Sequence, residues 1–226
     1  FKIMEIVRKG NFTNPDFKEK REKYTKMMVD AHVPDYYLAS CEKIKYLFPR
    51  GHAVAYVMMA VRCAWFKVHH PLEYYATYFT LRCDAYDLPT MLKGDKACLA
   101  KLNDIKDRLS NRQPVENKEQ SLINTYEQVI EMYDRGYSFE NVSVKKSLAT
   151  HFSVDKETHK IIPPFSAIDG VGSSVADIIV KAREEKPFDS VEDMQNRGHV
   201  SDKMVQVFRL YDALDDLPES NQMTLF

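Results

Sequence analysis

One stretch of the sequence, GHAVAYVMMAVRCAWFKVHHP, limits what the chain can fold into more than any other. It lies between Gly51 and Pro71, and its apolar side chains fall on nearly every face of a helix. A helix of that kind is normally buried on all sides. Its longest uninterrupted apolar run, Ala53 to Val61, is too short to cross a bilayer. The rest of the sequence offers little to surround such a helix, so we expect it to pack against partners that this sequence lacks.

The remaining hydrophobic periodicity predicts a mainly α protein. Helices are predicted over residues 1–10, from there to Pro34, between Pro34 and Pro49, after Pro71, and over 88–109 and 117–135. The segments SLATHFSV and KIIPPFSAI then predict two short strands around a hairpin. We therefore divide the sequence into a helical region at 1–140, a short β connector at 141–165, a helical unit at 166–214 and a flexible tail at 215–226.

Charge is distributed unevenly along the sequence. Residues 1–70 hold thirteen Lys and Arg against seven Asp and Glu, whereas the last sixteen residues hold four acidic side chains and no basic one. A basic first part favours an anionic ligand there, although a solvated basic face explains the same excess. The acidic end is the kind of segment that stays solvated.

The sequence contains no evident catalytic or metal-binding arrangement. Four widely spaced cysteines, Cys41, Cys63, Cys83 and Cys98, include no C-x-x-C pair and are predicted to be reduced core thiols of a cytoplasmic protein. Paired carboxylates in strand context and a phosphate-binding G-x-x-x-x-G-K loop are also missing. Because the first residue is Phe1, we expect a fragment of a longer protein.

The segment SAIDGVGSSVADIIVKAR is the most informative internal motif. Gly170, Val171, Gly172 and Ser173 precede a predicted helix, and their amides, together with the helix start, favour a phosphate. A second unit follows, in which Ser190 and Ser201 are predicted helix caps and Gly198, His199 and Val200 form another hairpin. Tandem helix-hairpin-helix units of this kind bind the DNA backbone without reading sequence. Purely structural turns are the alternative.

Two basic residues of the predicted helix after the first hairpin, Lys181 and Arg183, lie off its apolar face. We expect both to be available to a phosphate backbone.

A second candidate anion site lies in FPRGHAVAY. Arg50 and His52 stand at the predicted start of the long apolar helix, and Lys43 and Lys45 precede it by one to two turns. Converging cations at a helix start suit a triphosphate. The alternative is that His52 only caps a core helix.

These segments together resemble a known family. The stretch from CEKIKYLFPRGHAVAY to YYATYFTLR resembles the fingers region of the C-family bacterial replicative DNA polymerases, most closely the PolC type. The hairpin segment, with NRGHVSDKM after it, is similar to the duplex-binding helix-hairpin-helix region of that family. The final QMTLF is similar to the Q-x-x-L-F peptide by which such polymerases bind the sliding clamp. The resemblance covers nearly the whole sequence.

The resemblance implies a function for each part. The intact protein would extend primer-template DNA in the cytoplasm, at the nucleoid, with Mg²⁺ held by a palm domain that lies outside this sequence. This stretch would bind the incoming dNTP through the fingers at 1–140, duplex DNA through 166–214, the sliding clamp, and the rest of the polymerase chain. It would bind no metal and no membrane, and it would be inactive alone.

The clamp contact is expected at Gln222, Met223, Leu225 and Phe226. Leu225 and Phe226 would fill an apolar pocket of the clamp, and Gln222 would hydrogen-bond at its rim. Two other classes of protein remain open from the residues alone. One is a non-enzymatic tandem helix-hairpin-helix module of a repair protein, and the other is a helical scaffold without a DNA role.

Overall fold

The computed structural model describes residues 1–220. Those residues form eleven α-helices and one two-stranded antiparallel sheet, which confirms the predicted mainly α class. The chain divides into two compact units, and the boundary in the sequence falls between Cys63 and Ala64. The functional division predicted at residues 140, 165 and 214 stays a prediction.

The first unit has a small apolar core. It contains α1 (Lys2–Arg8), α2 (Lys18–Asp30), α3 (Asp35–Lys43) and the first part of α4 (Arg50–His69). Its buried side chains are Val7, Phe12, Met28 and Cys41.

Gly10 determines how the chain leaves α3. Its φ is +70°, and a Cβ at this position would lie 1.9 Å from the carbonyl oxygen of Lys45. The amide of Leu47 also donates to the carbonyl of Arg8 at 2.8 Å. This close approach holds the segment after Ile44 extended, so α3 ends at Lys43 and the helix predicted to reach Pro49 is wrong beyond that point.

The second unit is larger. It contains α5 (Pro71–Arg82), α6 (Leu88–Met91), α7 (Asp95–Ser110), α8 (Asn117–Asp134), β1 (Ser153–Asp155), β2 (Lys160–Ile162), α9 (Ser173–Glu185), α10 (Val191–Gly198) and α11 (Asp202–Leu210). One continuous core joins them, and its largest buried rings are Tyr75, Phe79, Tyr126, Phe165 and Phe208.

Two local predictions in this unit have clear outcomes. The predicted hairpin exists, with Ser153 paired to Ile162 and Asp155 to Lys160, although its strands are shorter than the apolar segments. The single helix predicted over 88–109 is wrong. Gly94, at φ +104°, separates α6 from α7, because this backbone conformation does not belong to a right-handed helix.

The long apolar helix α4 has no buried residue. Val57, Val61 and Trp65 are each at least half exposed, so residues 1–220 do not bury this helix. Burial against partners that the sequence lacks stays a prediction. Cys63, on the same helix, is exposed too, whereas Cys41 and Cys98 are buried as predicted.

Within the second unit, a polar cluster holds the end of α4. Lys67 Nζ lies 2.8 Å from Glu131 Oε2 of α8, and the Tyr75 hydroxyl donates to the same carboxylate. Burial alone would raise the pKa of Glu131, but the hydrogen bonds from Lys67 and Tyr75 outweigh burial and lower that pKa. Glu131 therefore remains ionised and links α4, α5 and α8.

Residues 215–220 make defined contacts, in contrast to the flexible tail predicted from 215 onwards. The Asp215 carboxylate accepts a hydrogen bond from Ser143 Oγ at 2.7 Å. The carbonyls of Pro218 and Glu219 accept hydrogen bonds from the amides of Val191 and Glu192. These two amides lie at the start of α10, where they have no carbonyl partner within the helix. The chain thereby caps α10 from outside.

The sequence predicts an Arg183 that is free to contact phosphate, and this prediction is wrong. In the structure, Arg183 joins the β connector to α9. Its guanidinium donates to the carbonyls of Ser147 at 2.7 Å and Val144 at 3.1 Å. Burial lowers the pKa of Arg183, which leaves it charged at neutral pH. Lys181, two residues earlier, is exposed as predicted.

In residues 1–220, no helix is long and apolar enough to cross a membrane. The same residues contain no group of three or more His, Cys, Asp or Glu side chains placed to hold a metal ion.

We predict that the two basic residues of α9 contribute very different amounts to the free energy of unfolding. Arg183→Ala should lower the free energy of unfolding by about 2–3 kcal/mol, because the Ser147 and Val144 carbonyls lose a charged donor and stay buried. Lys181→Ala, the matched control, should change it by less than about 0.5 kcal/mol. Urea denaturation followed by circular dichroism measures both. Equal stability of the two variants would contradict the structural role of Arg183.

Candidate nucleic-acid interface

The first hairpin, residues 169–172, joins a short 3-10 turn at Phe165–Ala167 to α9. Gly170 has φ +91°, which reverses the chain at a position where a side chain would be strained. Val171 then points inward and is only 5% exposed. Gly172 is the N-cap of α9, with φ −74° and ψ 151°. The buried valine leaves the two glycines on either side of it exposed.

This hairpin presents free backbone donors. Within residues 1–220, the amides of Gly170, Gly172 and Ser173 donate no hydrogen bond. The amide of Val171 donates to the carbonyl of Ile168 at 3.1 Å, so the predicted phosphate contact of this amide is wrong. A Cβ built on Gly172 would meet nothing within 4 Å, and a phosphate therefore has room to approach. The positive end of the α9 dipole lies at the same place.

The second hairpin, residues 198–201, repeats the same backbone. His199 has a left-handed conformation with φ 52°, like Gly170. Val200 is 4% exposed, like Val171. Ser201 caps α11 with φ −73° and ψ 158°, almost the values of Gly172. The two turns differ in sequence, so they share a backbone conformation and not a sequence motif.

The donors of the second hairpin are partly occupied, and within residues 1–220 only the amides of Ser201 and Asp202 donate no hydrogen bond there. The amides of His199 and Val200 both donate to the Gln195 carbonyl. Ser201 Oγ accepts the amide of Met204 at 3.4 Å. This hairpin is therefore less open to a phosphate than the first, and the exposed His199 side chain is the predicted contact that remains available.

Gly198 has a packing role that the sequence did not predict. It is buried, and a Cβ there would lie 3.4 Å from a side-chain carbon of Ile179 in α9. The glycine lets α10 approach α9 closely, and the predicted DNA contact through the buried Gly198 stays a prediction.

One cation at the first hairpin comes from a distant part of the sequence. Lys118 Nζ, at the start of α8, lies 2.7 Å and 3.0 Å from the two carboxylate oxygens of Asp169. Both side chains are exposed. Because 51 residues separate the pair, no local pattern indicates it. Lys118 partly neutralises the acidic residue beside the free amides.

In the first unit, the candidate nucleotide site contains a row of rings. The ring of His52 lies 4.6 Å from that of Phe48 and 4.2 Å from that of Tyr56, and Tyr46 continues the row at 6.1 Å from Phe48. All four side chains are exposed. The sequence reasoning missed the three aromatic residues, although aromatic residues interleaved with Lys and Arg could have indicated them.

The predicted cations of this site take different positions. Arg50 is the first residue of α4, Lys43 is the last residue of α3, and Lys45 lies in the extended segment between them. All three are exposed. Of the four predicted site residues, only His52 belongs to the ring row.

Known proteins match the whole chain. Residues 136–224 match the family described as a helix-hairpin-helix motif. DNA polymerase III PolC-type of Halalkalibacterium halodurans is 47% identical over 226 residues, which is all of this chain and 15% of that protein. The proteins of the same name in Bacillus subtilis and Streptococcus thermophilus are 47% and 44% identical over the same length. This chain matches PolC-type DNA polymerase III along its whole length.

The match confirms the family resemblance noted in the sequence. The chain spans about 15% of the length of the PolC-type relatives, so their activity as whole proteins is a matter for proposal. The helix-hairpin-helix match includes both hairpins, and the ring row lies outside it. Gln222, Met223, Leu225 and Phe226 lie outside the residues that the structure describes, and clamp binding stays a prediction.

We predict that Gly172→Val abolishes duplex binding and leaves the fold intact. The added side chain enters open space, and φ −74° with ψ 151° is an extended conformation that valine favours. It would nevertheless occupy the space through which a phosphate reaches the amides. Fluorescence anisotropy with labelled duplex DNA measures binding, and thermal unfolding checks the fold. A folded variant with unchanged affinity would show that phosphate does not approach here.

Proposed function

We propose that this chain is a DNA-binding segment of a replicative DNA polymerase that holds the duplex by its phosphate backbone. The observation that carries the proposal is the first hairpin, with three free amides beside an open glycine, in a chain that matches PolC-type polymerases from end to end. The intact protein would extend primer-template DNA. This activity would reside in parts of the relatives that the chain does not span.

The contact would be independent of sequence. Backbone amides and a lysine contact phosphates, which are the same at every base pair. Lys181 is exposed on α9, the helix that begins at the hairpin, and would add one ionic contact. The absence of base contacts suits an enzyme that moves along its template.

The experiment is a salt titration with two unrelated primer-template duplexes. Wild type should bind both equally, and Lys181→Ala should weaken binding to both and lower the slope of log affinity against log salt by about 1, because one phosphate contact is lost. Lys96→Ala, an exposed lysine on α7, is the matched control. An unchanged slope for Lys181→Ala would remove that residue from the interface, and unequal binding of the two duplexes would contradict backbone recognition.

We further propose that the ring row and Arg50 take the incoming dNTP. The support is chemical, because exposed rings offer surfaces on which a base stacks, and Arg50 at the start of α4 can pair with a phosphate. Lys43, Lys45 and His52 would add donors nearby. We propose no magnesium site within residues 1–220, because these residues contain no cluster of carboxylates placed to hold a metal ion.

In the full-length polymerase, Arg50→Ala should raise the KM for dNTP about tenfold or more, since a charged hydrogen bond contributes roughly 1.5–3 kcal/mol. Duplex affinity should not change. Arg62→Ala is the control, because Arg62 is exposed on the same helix about 18 Å further along. Steady-state incorporation kinetics give the result, and a normal KM would exclude Arg50 from the nucleotide site.

We also propose that α4 packs on the remainder of the polymerase chain. Its exposed apolar side chains include Val57, Val61 and Trp65, and apolar surface of this extent is typical of an interface. This proposal is supported by the length of the PolC-type relatives, which are several times longer than this chain and so have further residues on which α4 could pack.

The clamp peptide completes the proposal. Gln222 to Phe226 follow one residue after residues 215–220, which are held against α10 and Ser143. A short apolar peptide next to an anchored segment is suited to bind a pocket on another protein.

Truncation after Asn221 should weaken clamp binding about a hundredfold, because burial of two large side chains contributes roughly 1.5–3 kcal/mol each. Thermal stability and duplex binding should be unchanged, since the contacts of residues 215–220 remain. Calorimetric titration of the clamp with both chains gives the comparison. Equal affinities would place the clamp contact elsewhere.

A further inference from the structure

A second basic opening lies in the second unit, away from both hairpins. It is a cavity of about 380 Å³ between the α4–α5 junction and the turn that joins β1 to β2. His69 and His70 line it from the junction, and Lys156 and His159 line it from the turn. Neither the helix-hairpin-helix contact nor the ring row includes these residues.

The polar groups of the cavity are available to a ligand. His69, His70, Lys156 and His159 are all exposed, and within residues 1–220 none of them pairs with a carboxylate. The cavity contains one acidic side chain, Glu73. Three imidazoles, each with a ring N–H donor, and one ammonium around a single carboxylate favour an anion.

Each basic residue is placed by a defined local structure. The ring of Trp65 lies 4.7 Å from that of His69 and 5.5 Å from that of His70. On the other side, Asp155 accepts the amides of Glu157 at 2.8 Å and Thr158 at 3.2 Å, which fixes the turn.

Asp155 is itself held ionised. The Lys146 ammonium, 2.7 Å from its carboxylate, lowers the pKa of Asp155 together with the two amides. The turn that carries Lys156 and His159 is therefore preformed at neutral pH, and His159 keeps its left-handed φ of 54°.

The remaining wall is apolar and aromatic. Leu72 and Val154 form part of it, and Tyr137 adds a ring that lies 6.3 Å from the ring of buried Tyr75. A volume of this size, with cations at the opening and a ring at the wall, suits a phosphate attached to a sugar or base better than a simple ion.

We propose that this cavity binds the phosphate of a nucleotide, either free or within a single DNA strand. The imidazoles of His69, His70 and His159 and the ammonium of Lys156 hold the phosphate, and Tyr137 contacts the attached sugar or base. Glu73 is the one acidic side chain of the lining, and it alone opposes an anion there. This site is independent of the duplex contact proposed above.

The test uses the full 226-residue chain and a short labelled oligothymidylate, whose phosphodiesters do not titrate near neutral pH. Anisotropy at neutral pH measures binding. The triple variant His69→Gln, Lys156→Ala, His159→Asn should bind roughly tenfold more weakly than wild type, because one ammonium and two imidazole donors are removed. The control is the double variant His151→Gln, Lys96→Ala, which removes an exposed imidazole and an exposed ammonium outside the cavity. Unchanged binding by the triple variant would overturn the proposal.

Two further measurements separate this site from the hairpin and keep the test decisive. Gly172→Val should retain oligothymidylate binding, and the triple variant should retain duplex binding, so failure at one site is distinguishable from failure at the other. Competition by thymidine monophosphate would identify a free or terminal nucleotide as the ligand, and its failure to compete would identify an internal strand phosphate. If the triple variant unfolds, the histidine proton resonances of wild type decide, because absence of shifts at His69, His70 and His159 on adding oligothymidylate would overturn the proposal.

Discussion

The candidate duplex contact depends on two buried valines. Val171 and Val200 are 5% and 4% exposed, and each fixes the centre of a hairpin in the core of the second unit. With the centre buried, the residues on either side must turn outward, which brings the start of the next helix to the surface with its free amides. The geometry of the phosphate contact is thus a consequence of apolar burial, and it requires no residue that recognises DNA by its side chain.

The two hairpins share this constraint but differ in chemistry. Glycines beside Val171 leave the amides of the first hairpin open, whereas Ser201 caps its own helix and Gln195 accepts two amides of the second. Gly198 serves the approach of α10 to α9. The second hairpin therefore has fewer open amides than the first, and through Gly198 it also packs against α9. A similar division exists on α9 itself, where Arg183 binds the β connector and Lys181 remains exposed.

Features that depend on neighbouring residues could be predicted from the sequence. Both hairpins, the caps at Ser190 and Ser201, the β-hairpin and the mainly α class follow from local spacing, and the structure contains all of them. Features that depend on distant residues could not. The carbonyls that bind Arg183 lie 36 and 39 residues away, and Lys118 reaches Asp169 across 51 residues. The pattern within α4 shows a helix that is apolar on nearly every face, but it does not identify the residues that would cover this helix.

A weak hairpin contact and a weak clamp contact on the same chain would strengthen each other. A hairpin that binds phosphates at a few amides gives modest affinity, strongly reduced by salt. If the adjoining peptide holds a clamp that encircles the same duplex, the hairpin meets its phosphates at a high effective concentration and needs no greater intrinsic affinity. Val191, Glu192 and Ser143 hold residues 215–220 in the second unit. For the proposed clamp contact, this anchoring limits how much chain joins the hairpin to the peptide. A short link raises the effective concentration only where it spans the distance between the sites, so the anchoring of residues 215–220 would set the strength of the proposed joint binding.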